Sequence, residues 1–140
     1  MIYIIIPEKE IKPFLGLGLV GGLGIALVLL LIMQNMRGYW IFKNIDVLNI
    51  KQIPVFLSAT WIPVIILFAY LLSRTQKLIS IIFLVLVFPL GATIIHFTFL
   101  KFKLLTYNNW NLFYTFLISL SIHLGITYFL INTRQLSKLE

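Results

Sequence analysis

The sequence predicts an all-α fold: a single integral membrane domain over residues 1–140, built as a bundle of four transmembrane helices joined by short loops. Composition is the first indication, because 61% of the 140 residues are hydrophobic and 11% are charged. Soluble domains have roughly 45–50% apolar and about 25% charged residues, and a small domain has a proportionally large surface to cover with polar groups. The second indication is that four long windows contain no charged residue.

These uncharged windows set the predicted transmembrane spans. The apolar part of each is about 20 residues long, which is the length that an α-helix needs to cross a hydrocarbon layer of about 30 Å. A chain inside lipid has to satisfy its own backbone hydrogen bonds, so each window is expected to be helical. The approximate spans are 14–33, 53–73, 78–100 and 112–131.

The segments outside the spans are short. The opening "MIYIII" cannot cross a bilayer and is expected at the interface or against a neighbouring helix. The longest connection is 34–51, whereas "RTQK" at 74–77 is a tight turn that makes spans two and three a hairpin. Aromatic residues in the connections suit the headgroup layer of a membrane: Tyr39, Trp40, Tyr107 and Trp110.

Charge and cysteine content limit the partners and the chemistry. The net charge is +7, from eleven Lys and Arg against four Asp and Glu. The basic residues lie between apolar runs, so anionic lipid headgroups are the expected partners and nucleic acid is not. The absence of cysteine excludes disulfides and thiolate chemistry, and the sequence predicts no cofactor and no metal site.

The expected location is the plasma membrane of a bacterium, because richness in Ile, Lys and Asn is typical of an AT-rich bacterial genome. Basic residues flank the spans almost equally on the two sides. The side with both termini has six, against five opposite, a margin too small for the positive-inside rule to decide. The prediction places both termini in the cytoplasm. The first side has Lys9, Lys12, Arg74, Lys77, Arg134 and Lys138, and the second has Arg37, Lys43, Lys51, Lys101 and Lys103.

Span four has a polar residue at every fourth position. Residues spaced by four lie on one face of a helix, and polar side chains avoid lipid, so this stripe is expected to face the bundle interior. The favoured interpretation is a seam of hydrogen bonds between helices, since Ser and Thr are common packing residues there. The alternative is the lining of a small polar cavity or path. The stripe is Asn111, Thr115, Ser119, His123 and Thr127.

His96 and His123 are the only side chains in the predicted spans that titrate near neutral pH, and the spans contain no Asp, Glu, Lys or Arg. That composition argues against ion-coupled carriers and acid–base enzymes. The two histidines differ in depth by roughly 10 Å at 1.5 Å per residue, and no third metal ligand is evident. They are interpreted as neutral side chains bonded to Ser or Thr, with a proton relay as the alternative.

Two prolines fall about halfway along spans two and three. Pro63 and Pro89 each remove a backbone donor, and each therefore predicts a kink one turn earlier in the helix. Paired breaks at one depth are also found at transport sites. The kink is favoured because no charged residue accompanies either proline.

The stretch "FLGLGLVGGLG" contains G-x-G-x-x-G starting at Gly16, the spacing of a dinucleotide-binding turn. That turn needs a strand directly before it and an acid about 20 residues later, and neither is present. Glycine and alanine spaced by four instead predict a smooth helix face for close packing. Its partner is another span or another chain. The face comprises Gly18, Gly21, Gly22 and Ala26.

The stretch "NIKQIPVFLSATWIPVIILFAYLL", with Ile53-Pro54 followed by Trp61-Ile62-Pro63, resembles small uncharacterised four-helix membrane proteins of Gram-positive bacteria. The later stretch "NNWNLFYTFLISLSIHLGITYFL" adds to this resemblance, which covers most of the chain and implies no established activity. The "IP…WIP" pattern is also similar to membrane enzymes of carotenoid biosynthesis. This chain is much shorter and lacks acids in its spans, so no catalytic residue is carried over.

Three functions remain open from the sequence. The leading hypothesis is a non-enzymatic membrane protein, an accessory or structural subunit whose partners are other membrane subunits or further copies of itself. The second is a small transporter or channel-like protein with a polar path along span four past His123. The third is a membrane enzyme acting on a lipid or isoprenoid, with His96 or Asp46 at the mouth of an apolar pocket.

Overall fold

A computed structural model describes residues 6–43, 49–50 and 53–133. It confirms the mostly helical architecture, with four helices that are long and apolar enough to cross a membrane. These helices are α1 (Glu8–Met36), α2 (Val55–Ser73), α3 (Leu78–Lys101) and α4 (Leu112–Asn132). Several residues used above lie outside the described ranges, namely the first five of "MIYIII", Asp46, Lys51, Arg134 and Lys138.

Helix α1 is continuous but changes its winding along its length. After α-helical Glu8–Ile11, a 3₁₀ turn holds Pro13, whose missing N–H is best tolerated near a helix start. The glycine-rich part is a seven-residue π-helix, a rare geometry in runs of this length. The successive segments are Glu8–Ile11, Lys12–Phe14 (3₁₀), Leu15–Leu17, Gly18–Gly24 (π), Ile25–Leu30 and Leu31–Met36 (π).

The chain leaves α1 through Gly38, whose φ of +64° lies in the left-handed region. A side chain there would be strained, which explains glycine at this position. The amide of Tyr39 donates to the carbonyl oxygen of Met33 at 2.7 Å and closes the end of the helix. The end of α1 at Gly38 therefore has a specific backbone cause.

Helix α2 consists of two segments, Val55–Ala59 and Trp61–Ser73, with a turn between them at Thr60. The Thr60 hydroxyl donates to the carbonyl oxygen of Leu57 at 2.6 Å. Pro63 lies about halfway along α2, as predicted, and falls in the first turn of the second segment. Because proline cannot donate to the carbonyl one turn earlier, the turn at Thr60 lies where its effect is expected.

Helix α3 continues without interruption through Pro89, which is fully buried. The Thr93 hydroxyl donates to the carbonyl oxygen of Pro89 at 2.8 Å. Serine and threonine near a proline in a membrane helix provide this kind of local hydrogen bond. The two prolines therefore differ: one follows a turn, and the other sits inside a continuous helix.

Two short antiparallel pairings occur in the connections, where the sequence predicted only loops. Strand β1 (Trp40–Phe42) pairs with β4 (Leu105–Tyr107), so that Trp40 lies opposite Tyr107. Strand β2 (Asn49–Ile50) pairs with β3 (Ile53–Pro54). The first pairing joins the α1–α2 connection to the α3–α4 connection at one end of the bundle.

The opposite end is joined by side chains. Glu10, in the first turns of α1, forms an ion pair with Arg74 in the turn between α2 and α3. The Arg74 guanidinium also lies 5.2 Å from the centre of the Tyr70 ring. Its pKa is raised by the hydrogen bond and the negative charge of Glu10. With β1 and β4 paired at the other end, the four helices alternate in direction.

Helix α2 carries the most completely buried apolar side chains, including Phe68, Ala69 and Leu72. These side chains belong to one core cluster together with Ile126 and Leu130 of α4. By contrast, large apolar side chains cover the outside of the helices. The most exposed on α3 and α4 are Leu78, Ile79, Phe83, Ile94, Phe113 and Tyr128.

Candidate functional site: an interhelical cavity

A cavity of about 120 Å³ lies between the four helices. Each helix contributes to its wall, and strand β1 contributes Trp40 and Phe42. Most of the lining is apolar, as at Ile25 and Ile65, and the polar side chains come mainly from α3 and α4. The wall includes His96, Thr115, Ser119 and His123.

The glycine face of α1 packs against α2 and borders the cavity. A methyl group added at Gly18 would lie 2.6 Å from the Ile66 side chain, a distance below ordinary van der Waals contact. Gly21, Gly22 and Ala26 line the cavity, so the predicted face both contacts a neighbour and forms a wall. Gly16, which completed the dinucleotide-like spacing, has nothing within 4 Å of such a methyl group.

The polar stripe of α4 is buried over four of its five predicted positions. Thr115, Ser119 and His123 line the cavity, while Thr127 lies beyond it and donates to the carbonyl oxygen of His123 at 2.7 Å. Asn111 differs from the prediction, because its side chain is exposed. It precedes the helix and accepts a hydrogen bond from the Tyr114 amide at 3.0 Å, as an N-cap does.

A hydrogen-bond network crosses from α3 to α4 through β4. The Tyr107 hydroxyl lies 2.8 Å from Nδ1 of His96 and 2.6 Å from the Thr115 hydroxyl. Nε1 of Trp110 donates to the same Thr115 oxygen at 3.0 Å, and Thr115 donates to the Asn111 carbonyl oxygen. Each hydrogen bond of this network has one donor and one acceptor when His96 donates to Tyr107 and Tyr107 donates to Thr115.

Burial changes the acidity of this phenol. It raises the pKa of Tyr107 to about 12, and the hydrogen bond with Thr115 acts in the opposite direction. Burial removes hydration from a phenol, and this costs the charged phenolate more free energy than the neutral phenol. Tyr107 is therefore neutral at physiological pH and can donate as the network requires.

Aromatic rings pack together at the end of the bundle where β1 and β4 pair. Trp40 meets His96 edge-on, with ring centres 4.8 Å apart, and Tyr39 stacks on Trp110 at 5.1 Å. Trp40 was predicted as an anchor in the headgroup layer but is only 3% exposed. The strand directs its ring inward and leaves the next residue, Ile41, exposed.

Comparisons with protein-family models, curated proteins and solved structures returned no significant match. Within the described ranges, no three His, Cys, Asp or Glu side chains lie close enough to hold a metal ion.

His123 is the least exposed polar side chain of the cavity wall. Its ring meets Phe68 edge-on at 4.8 Å and lies 5.8 Å from Phe88. Nδ1 lies 2.7 Å from the carbonyl oxygen of Ser119. A carbonyl oxygen only accepts, so Nδ1 carries the proton and Nε2 of the neutral ring is an acceptor. That Nε2 is buried without a hydrogen-bond partner, as is Nε1 of Trp40.

Sequence patterns identified part of this wall. Period four in span four points to Thr115, Ser119 and His123, but no local signal places Tyr107 against His96. Their contact depends on how the chain turns after α3, where Lys103 and Asn109 have positive φ. Such turns follow from the packing of the connection and not from hydropathy.

Proposed function

We propose that this chain is a multi-pass integral membrane protein of a bacterial plasma membrane, with both termini in the cytoplasm. Support comes from the apolar outer faces of the helices, where Phe83 and Ile94 are more than 60% exposed. Helix α3 has 24 residues, or about 36 Å at 1.5 Å per residue. This length exceeds the roughly 30 Å of a hydrocarbon core.

Within the membrane, the proposed role is structural or accessory and non-enzymatic. The observation that carries this role is the use of interior polar side chains to join elements of the bundle. His96, Tyr107, Thr115 and Trp110 bond to one another and tie α3 to α4. Hydrogen bonds across membrane helices stabilise packing by about 0.6 kcal/mol each on average. The resemblance to small Gram-positive membrane proteins fits this role and remains a prediction.

Membrane insertion and orientation are tested by cysteine labelling. The chain has no natural cysteine, so Gln76→Cys and Asn109→Cys provide single probes at opposite ends of the bundle. A membrane-impermeant maleimide should label Asn109→Cys on intact cells and Gln76→Cys only after the membrane is opened. The reverse pattern would invert the orientation, and equal labelling of both sites on intact cells would contradict insertion.

The accessory role is tested by affinity purification from native membranes in mild detergent. We expect a stoichiometric membrane protein, or a second copy of this chain, to remain bound through repeated washing. Bound phospholipid with anionic headgroups is also expected, because basic residues flank the helices. Chemical crosslinking in the same membranes provides a second measurement. An accessory role would be contradicted if the chain is purified as a monomer alone and is also crosslinked to no neighbour.

A second candidate, a protein that binds or acts on a lipid or isoprenoid, is favoured by the cavity. Its lining is mostly apolar and includes His96, as that hypothesis requires; Asp46 lies outside the described ranges. Mass spectrometry of the purified protein tests it. A stoichiometric apolar molecule released from wild type would support this candidate, and its absence would favour the structural role.

A further inference from the structure

The cavity is not sealed but opens between α2 and α3. Thr60 of α2 and Ile95 of α3 belong to its wall, and both side chains are also exposed at the surface of the bundle. Ile95 precedes Lys101, the charged end of α3, by six residues, or about 9 Å along the helix axis. In a membrane-spanning bundle this depth places the opening beside the hydrocarbon layer and not beside the headgroups.

The cavity is elongated and mostly apolar. On α4 its wall extends from Thr115 to His123, which is about 12 Å along the axis at 1.5 Å per residue. Ile25, Val64 and Ile118 are among the side chains that make most of the wall hydrocarbon. Atoms that line a void lose dispersion contacts on one side. In a bilayer, the molecules beside an apolar opening are lipid chains, and one acyl chain lying along the helices restores those contacts.

Three exposed lysines lie at the end of the cavity where β1 and β4 pair. Lys43 directly follows Phe42, which belongs to the wall. The Lys43 amide donates to the carbonyl oxygen of Leu104 at 2.9 Å, which brings Lys43 beside Lys103. Lys101 is the last residue of α3. The lysines therefore form a positively charged rim at the membrane surface, next to the apolar wall.

No acid neutralises this rim within the described parts of the chain, because Glu8 and Glu10 both lie in the first turn of α1, at the opposite end. Lysines near a membrane surface attract anionic headgroups. The apolar wall distinguishes poorly between acyl chains and lipid-facing side chains, because lipid chains are as apolar as leucine. The headgroup therefore decides which lipid is preferred.

We propose that the cavity is a binding site for one anionic phospholipid, of the phosphatidylglycerol type. One acyl chain enters between α2 and α3 and fills the apolar space, while the phosphate lies against Lys43, Lys101 and Lys103. The proposal rests on the membrane insertion proposed above, and it names the class of lipid for the second candidate function.

Photoreactive lipids test the position of the chain and the choice of headgroup together. The full-length protein is placed in phosphatidylcholine nanodiscs with a small, equal fraction of phosphatidylglycerol or phosphatidylcholine that carries a diazirine in one acyl chain. Adducts are mapped by mass spectrometry. Val64 and Ile95 report on the cavity, whereas Val28 is 57% exposed, is not part of the wall and reports on lipid outside the bundle.

We expect Val28 to react equally with both probes. Val64 and Ile95 should react about fivefold more with the phosphatidylglycerol probe for each lysine that contacts its phosphate. If Val28 reacts but neither cavity residue does, the site is overturned while membrane insertion stands. Absence of adducts at all three positions would contradict insertion together with the site.

Two further outcomes concern the identity of the lipid. Equal reaction of the cavity residues with both probes would overturn the role of the anionic headgroup. Stronger reaction with an uncharged isoprenoid alcohol that carries the same photoreactive group would overturn a phospholipid as the occupant.

Triple variants locate the phosphate. Changing the three lysines of the rim to glutamine should abolish the preference at Val64 and Ile95, and changing them to arginine should retain it because the charge is kept. The matched control removes the same charge from three exposed lysines at the opposite end and should also retain the preference: Lys9→Gln, Lys12→Gln and Lys77→Gln. If the preference survives in the first variant or disappears in the control, the rim does not hold the phosphate.

Discussion

Gly22 lies against the backbone of Trp61: a methyl group on its α-carbon would be 2.7 Å from the Trp61 carbonyl oxygen. It would also lie 2.8 Å from the α-carbon of Ile62. Backbone atoms at this contact cannot rotate away as a flexible side chain can. Helices α1 and α2 can approach this closely because position 22 has no side chain.

Gly22→Ala is therefore expected to lower the free energy of unfolding by about 1–3 kcal/mol, the usual cost of overpacking. The measurement is reversible unfolding in detergent, followed by circular dichroism. Gly16→Ala is the matched control, because it makes the same change on the same helix with nothing within 4 Å. Equal effects of the two substitutions would contradict a close contact at Gly22.

Tyr107→Phe should destabilise the protein by about 1–3 kcal/mol, because it leaves a buried His96 N–H without an acceptor. Its control is Tyr128→Phe, which removes a hydroxyl from a side chain that is 71% exposed. The two variants are compared by unfolding under the same detergent conditions. A cost that is no larger at position 107 than at position 128 would rule out a structural contribution from the network.

The raised pKa of Tyr107 predicts that the folded protein loses stability at alkaline pH. Its pKa is about 12 in the folded protein against an ordinary value of 10.0, so the folded state binds the phenolic proton more tightly. This stabilisation is complete below pH about 10 and is lost between about 10 and 12. The difference between wild type and Tyr107→Phe should shrink over that range. A phenolate absorbance step near pH 10 assigned to Tyr107 would contradict the burial.

The Glu10–Arg74 ion pair is expected to stabilise the folded protein slightly, by an amount that depends on the salt concentration. Arg74→Gln should lower the unfolding temperature slightly at low ionic strength, and the difference should disappear at about 1 M salt, where charges are screened within about 3 Å. Lys77→Gln is the control, because it removes a positive charge from the same turn without removing an ion pair among the described residues. An equal, salt-sensitive loss in both variants would indicate a general charge effect.

Hydropathy predicted the helices because their length and composition are properties of each segment alone. The polar stripe was predicted from its spacing of four residues, which is also a property of one segment. Asn111 is the exception, because it precedes the helix. A polar cavity and an apolar pocket were predicted only as alternatives, because the walls of a cavity depend on which helices meet. Likewise, Trp40 was predicted for the headgroup layer, and its burial could not be predicted because nothing within three residues of it reveals its pairing with Tyr107.

The pairing of β1 with β4 has a consequence for the order in which the chain assembles. Strand β1 is synthesised before α2 and α3, and its partner emerges only after both. Until then, the backbone groups of Trp40 and Phe42 have no strand to bond. The pairing that joins the α1–α2 connection to the α3–α4 connection therefore forms only after β4 has been synthesised, so this end of the bundle is completed late.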